Sequence, residues 1–419
     1  MKFRKILSCL LALGFILSFS SACSNSTAVE PEVLITEAET ETQTPPPSPV
    51  ADNFIVNTAD FAVELFKRSY DDTENSLVSP ASVLFAMSMA ANGANGETLT
   101  QMENALGGGM PIAELNEHLR NYRLWLPSEE NAKLSIANSI WYRDEFDVRD
   151  EFLQINKDYY NALVKSALFD PSTVKEINGW VEENTDGMID EILNDIPNAA
   201  IMYLINAVAF DAQWANIYEE HQVRERDFTN INGEIQKADM MSSDESIYIR
   251  DDKAIGFIKP YDSSYSFAAV LPNEDVSIDE YISSMTGENL MELLNGQRGA
   301  KVKAELPKFS YEYGIELKSP LEDMGITTAF DENYADFKGI GYSPRGGNIF
   351  ISRVMHKTFI EVDEKGTKAA AVTVVEMEET DSVSEPNYIY VILDRPFIYM
   401  IIDNETNLPL FMGVLNTLP

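Results

Sequence analysis

The sequence predicts an α+β fold, with many helices packed around large β-sheets. Three observations carry that expectation. The chain has 419 residues, of which 45% are hydrophobic and 24% charged, so it can bury a large core. Helical periodicity crowds the early part of the chain, and strand patterns crowd the later part. The two kinds of segment mostly do not alternate at βαβ spacing, which argues against a doubly wound parallel sheet.

The helical stretches are 54–70, 80–92, 98–106, 112–124, 150–161 and 174–184, each with apolar residues at three- and four-residue intervals. Ser79-Pro80 and Asp170-Pro171 supply cap-like starts, and Gly93 and Gly107 supply stops. Strand patterns fall at 135–141, 202–210, 246–249, 254–259, 266–271, 300–307, 354–362, 388–393, 397–403 and 409–414. No internal repeat or Pro/Gly/Ser break divides residues 54–419, which read as one domain.

Two segments precede it. Residues 1–22 carry Lys2, Arg4 and Lys5, then a short apolar run and small residues, the pattern of a secretory signal. That run is too short to span a bilayer comfortably. Cys23 directly follows the small residues and resembles the lipidated cysteine of a bacterial lipoprotein. Ser20 departs from the Leu usual at its place, so ordinary cleavage after Ala22 stays open. Either way, the protein is expected outside the cell or on its surface, touching membrane only through a lipid anchor. Residues 23–53 are rich in Thr, Glu and Pro, which suits an extended tether.

Charge and composition narrow the function. With 31 basic against 68 acidic residues the net charge is −37; a surface this acidic repels nucleic acid. The three histidines and two cysteines form no HExxH or CxxC motif, so neither a metal nor any other cofactor is expected. Gly341-Tyr-Ser-Pro-Arg fails as a GxSxG elbow at its last residue, and Gly107-Gly108-Gly109 lacks the Lys of a P-loop. Adjacent acids such as Glu378-Glu379 arise by chance in so acidic a chain. His356, inside a strand pattern, reads as a core histidine bonding neighbouring strands and not as a catalytic base. The chain does not read as an enzyme.

The most informative stretch is residues 361–380, EVDEKGTKAAAVTVVEMEET. Read as a strand, one face carries Thr367, Ala369, Ala371, Thr373, Val375 and Met377, with no charge. All charges, beginning with Lys368, fall on the other face together with Ala370. A strand that enters a packed sheet and an ordinary edge strand both fit this alternation.

The segment from Val362 to Thr373 resembles the hinge of a serpin, a serine protease inhibitor that works by loop insertion. Other matching segments are Asn75-Ser-Leu-Val-Ser-Pro-Ala-Ser82, Asn206 with Phe210 and Trp214, Leu306-Pro-Lys308, Val354-Met-His-Lys357, Arg395-Pro-Phe397 and Pro409-Leu-Phe-Met-Gly413. The resemblance implies the serpin fold, three β-sheets surrounded by helices, with residues after Gly366 exposed as a reactive-centre loop. It implies a metastable, monomeric suicide inhibitor that traps an extracellular serine protease as a covalent acyl-enzyme. A non-inhibitory serpin acting as a binding or carrier module is the alternative. Carried over by residue, the hinge is Glu364, Gly366, Thr367, Ala369, Ala370, Ala371 and Thr373, with Thr367 the first inward side chain to enter. Ser82, Asn206 and His356 would form a polar shutter, and Trp214, Lys308 and Glu364 a breach where the loop begins to insert. Counting seventeen residues from Glu364, as in inhibitory relatives, places the scissile bond at Thr380-Asp381, with 377–384 open because the loop is long. No Lys or Arg lies between Ala369 and Asp394, so elastase-like or subtilisin-like proteases fit better than trypsin-like ones.

Overall fold

Helix Asp52–Ser69 buries Phe54, Phe61, Leu65 and Phe66 along one stripe and closes with Lys67 and Arg68 in its last turn, where cations suit the helix dipole. The computed structural model describes residues 51–127, 129, 131–343, 346–367 and 388–419. Helix Pro80–Ala91 is buried nearly all round and forms a spine through the core. Its N-terminus is capped by Ser79, whose hydroxyl accepts from the Ser82 N–H. The expected helix at 174–184 begins earlier, at Pro171. Asp170 caps it by accepting from the Ser172 and Thr173 N–H groups, and proline suits a first helical turn.

Three sheets are present among the described residues. The six-stranded sheet runs Phe309–Glu316, Met355–Val362, Gly366–Thr367, Met202–Gln213, Ala132–Arg143 and Leu163–Ala167. The nine-stranded sheet runs Ser76–Val78, Pro409–Leu415, Phe397–Asp403, Tyr265–Pro272, Ala254–Pro260, Ile235–Arg250, Gln297–Pro307 and Ile389–Ile392, with Val223–Thr229 also paired to Ile235–Arg250. A two-stranded sheet joins Gly341–Tyr342 to Asp147–Val148. Tyr265–Pro272, Phe397–Asp403 and Pro409–Leu415 are buried along their whole length, which explains their nearly unbroken apolar sequences.

The α+β reading therefore holds, with corrections in detail. Short helices at Ile278–Ser284, Gly287–Leu294 and Lys318–Asp323 interrupt the strand-rich part. Each spans two turns or so, too little for periodicity to reveal. Phe309–Glu316 is a further strand, whose inward Phe309, Tyr311, Tyr313 and Ile315 alternate with exposed Ser310, Glu312 and Gly314. The strand expected at 246–249 extends over Ile235–Arg250, where polar residues mask it. The first helix begins at Asp52, slightly before the expected boundary at residue 54.

Aromatic packing ties the sheets together. Phe267 is fully buried, stacked on Tyr399 at 5.7 Å and meeting Trp214 edge-on at 5.8 Å. Phe267→Ala should lower unfolding free energy by about 3–5 kcal/mol, measured as a shift in urea midpoint.

Candidate functional site

Among the described residues, the six-stranded sheet carries only a two-residue strand at its centre. Strands Met355–Val362 and Met202–Gln213 are both antiparallel to the two-residue strand Gly366–Thr367 that lies between them. Pairing is confined to one end: Thr367 lies opposite Val362 on one side and Ala212 on the other, and Gly366 lies opposite Gln213. Beyond that end no ladder joins the two long strands among the described residues. By contrast, Met202–Gln213 pairs on its far side with Ala132–Arg143 continuously, from Ala212 opposite Ala132 to Met202 opposite Tyr142. The unpaired stretch opens into a cavity of about 600 Å³ lined by Ser82, Ala86, Met87, Leu193, Asn206 and His356.

At the paired end, backbone crowding selects the sequence. A Cβ on Gly366 would come within 2.0 Å of the Ala212 carbonyl oxygen, so only glycine fits. Thr367 is 3% exposed, and its Oγ1 shares a 2.6 Å hydrogen bond with Tyr261 Oη. Tyr261 in turn stacks on Trp214, with ring centroids 4.5 Å apart and planes 5° apart. The indole N–H of Trp214 donates to the Asp363 carbonyl at 2.9 Å. Two backbone bonds of 2.8 Å, Trp214 N to Lys365 O and Tyr218 N to Glu364 O, fix the same turn. Lys308 Nζ forms an ion pair with Glu364 and lies 3.9 Å from Asp239. Burial is the largest single influence on Glu364 and opposes its charge, but the hydrogen bond from Lys308, a backbone hydrogen bond and the charges of Lys308 and Lys365 together outweigh it and hold the carboxyl below its ordinary range.

At the open end, His356 is buried and its Nε2 accepts the Ser79 N–H at 3.0 Å. The Ser79 hydroxyl donates to the Leu410 carbonyl at 2.8 Å. Asn206 Nδ2 donates to Asn138 Oδ1 at 2.8 Å, and Asn138 Nδ2 donates to the Tyr160 carbonyl at 2.8 Å. Asn206 Oδ1 is buried and has no hydrogen-bond partner among the described residues.

The structure thus brings Ser82, Asn206 and His356 to one cavity, and Trp214, Lys308 and Glu364 to the turn above it. Two expectations need correction. Thr367 is not exposed and not waiting to enter, because it already occupies the sheet through Tyr261 and two flanking strands. The His356 imidazole bonds the junction before helix Pro80–Ala91, at the Ser79 N–H, not a neighbouring strand among the described residues. Among the described residues no hydrogen bond joins Ser82, Asn206 and His356 directly; Ser79 and Asn138 are their partners. Ala369, Ala370, Ala371, Thr373, Thr380, Asp381 and Cys23 lie outside the described residues. Sequence reasoning missed Ser79, Asn138 and Tyr261. Ser79 stood out only as a cap, and the partner of a backbone N–H leaves no signal in sequence.

Residues 56–417 match the family model "Serpin (serine protease inhibitor)". The chain belongs to the serpin family. This serpin is 32% identical over 359 residues to an uncharacterised serpin-like protein of Thermococcus kodakarensis, covering 84% of this chain and 83% of that one. The native state of tengpin, a thermophilic serpin, superposes with a TM-score of 0.83 at 51% identity, covering 88% of this chain and 96% of that one. The complex of thyroxine-binding globulin with thyroxine gives a TM-score of 0.75 at 28% identity, covering 87% of this chain and 98% of that one. Serpins are generally protease inhibitors and not catalysts, and their usual partners are serine proteases.

Burial of His356 pushes its pKa from 6.5 down to about 4, so the imidazole of this serpin is a neutral acceptor at pH 7. Between pH 6.5 and about 4 the unfolded chain binds a proton that the native state refuses. Native stability is therefore complete with respect to this group above pH 6.5 and falls by about 3 kcal/mol as pH drops through that window. Urea midpoints across the window should fall less steeply in His356→Gln than in wild type; equal slopes would assign the loss to other groups.

Proposed function

We propose that this serpin is a suicide inhibitor of extracellular serine proteases that works by inserting residues 368–377 into the open centre of its six-stranded sheet. The observation that carries the proposal is the two-residue strand Gly366–Thr367, seated at one end of two long strands that no other described residue joins. Insertion of the reactive loop into this sheet is the mode known for serpins.

Register supports the reading. Continuing from Thr367 opposite Ala212 and Val362 carries residue 373 opposite Asn206 and His356, and residue 377 opposite Met202. Thr373 would then bring a hydroxyl donor to the unpartnered Asn206 Oδ1. The inward side chains Ala369, Ala371, Thr373, Val375 and Met377 bear no charge, so they can enter without stranding one. A new central strand adds ladder hydrogen bonds on both sides and buries apolar surface.

The protease would attack the loop, form an acyl-enzyme and be carried along as the strand inserts. With Met377 at the last register position, the scissile bond Thr380-Asp381 leaves a short connection to the attached enzyme. Glu378 and Glu379 also suit a glutamate-specific endopeptidase. The leader and Cys23 support a protein outside the cell or tethered to its surface, reaching out on residues 23–53.

Purified protein mixed with elastase-like and subtilisin-like proteases should give an adduct that survives a denaturing gel, and trypsin should give none through the normal bond. The released peptide should begin at Asp381, with cuts after Glu379 and Val383 next in frequency. Ala369→Arg should convert the inhibitor to a substrate. It forces a charge through the first unfilled inward position, and each 1.4 kcal/mol added to that barrier slows insertion about tenfold against deacylation. Lys368→Glu, on the outward face, should retain the adduct. Cleavage without adduct by every protease in the panel would favour a non-inhibitory binding or carrier role instead.

A further inference from the structure

Beneath the turn that holds the hinge lies a buried ion pair. Lys259, on strand Ala254–Pro260, and Glu245, on strand Ile235–Arg250, meet at 2.9 Å with side chains only 2% and 6% exposed. Lys259 Nζ also donates to the Asn216 carbonyl at 3.2 Å. It lies over the Tyr218 ring at 4.4 Å and the Trp214 ring at 5.4 Å. Glu245 accepts a second bond, from Ser243 Oγ at 2.7 Å, and that hydroxyl lies 3.3 Å from Tyr218 Oη.

Among the described residues, the ammonium's contacts with the Asn216 carbonyl and with the Trp214 and Tyr218 rings all fall on segment 214–218. The same segment gives three hydrogen bonds to the turn 363–365, from Trp214 N, Trp214 Nε1 and Tyr218 N. Two residues past Lys259 in the chain, Tyr261 holds Thr367. A fully buried ion pair is a poor source of stability, because desolvation of both ions offsets their attraction and an apolar pair often does as well. What an apolar pair lacks here is a donor for the Asn216 carbonyl and a cation for the two rings.

We infer that Lys259 and Glu245 are positioning residues that hold segment 214–218, and through it the turn 363–365, against spontaneous advance of the hinge. The inference rests on the loop-inserting reading of the gap. Lys259 clamps the segment, and Glu245 fixes the ammonium in place. Without the clamp the turn loosens, and the loop slides into the gap without any protease.

The test follows the uncleaved protein alone, incubated at a temperature well below its unfolding transition. Conversion to an inserted form is read as the appearance of a species with raised melting temperature. Lys259→Met should convert at least tenfold faster than wild type, while the melting temperature of its nicked, fully inserted form stays within a few degrees of nicked wild type. The double variant Lys259→Met/Glu245→Met removes both charges and leaves no buried ion, yet it still lacks the clamp and should also convert fast. A wild-type conversion rate in the double variant, or equal loss of stability in the intact and nicked forms, would make the pair merely structural and overturn the inference. If wild-type protein forms no protease adduct yet Lys259→Met still converts faster, the inhibitory reading fails and the clamp stands. If adducts form normally and conversion rates are equal, the clamp fails and the inhibitory reading stands.

Discussion

Two long parallel strands, Met355–Val362 and Met202–Gln213, are joined among the described residues by only two residues, Gly366 and Thr367. That gap governs the rest of the structure. Unpaired backbone in the middle of a sheet is costly when buried, and here it borders a cavity of about 600 Å³ instead of packed side chains. The fold tolerates this because everything around the gap is firmly built. Helix Pro80–Ala91 lies behind it, buried on nearly every side, and an unbroken ladder to Ala132–Arg143 backs one of its strands.

The two ends of the gap use different chemistry. At the closed end, aromatic stacking, an ion pair and close backbone approach fix the hinge: Trp214 on Tyr261, Lys308 with Glu364, and Gly366 against Ala212. At the other end there are neutral polar groups, the buried His356 imidazole and the Asn206 amide, which keep hydrogen-bonding capacity without burying a charge. In the proposed mechanism the seated pair Gly366 and Thr367 is the point from which the sheet grows.

Much of this was legible in the sequence, for reasons that differ by element. Strands such as Phe397–Asp403 declare themselves because burial on both faces demands continuous apolar residues. Helix Pro80–Ala91 declares itself through Ser79-Pro80 at its start. The uncharged face of residues 367–377 follows from strand alternation, although alternation alone could not separate an inserting strand from an edge strand; the surrounding segments Leu306-Pro-Lys308 and Val354-Met-His-Lys357 did so through family resemblance. The state of Thr367 was not legible. Whether a hinge residue sits inside or outside the sheet depends on a hydroxyl 2.6 Å away on Tyr261, more than a hundred positions earlier. Nor could the sequence reveal Lys259 with Glu245, because two charged residues in a chain with 68 acids give no hint of burial.

The proposed mechanism requires the intact protein to be metastable and the segment after Thr367 to complete the sheet once the loop is cut. The most direct measurement is the melting temperature of the intact protein beside that of protein nicked once within residues 377–384. A new central strand completes two ladders and fills the cavity, so the nicked form should melt tens of degrees higher. Equal melting temperatures before and after nicking would contradict the account, because a gap that stays empty when its strand is free to enter is not a slot for that strand.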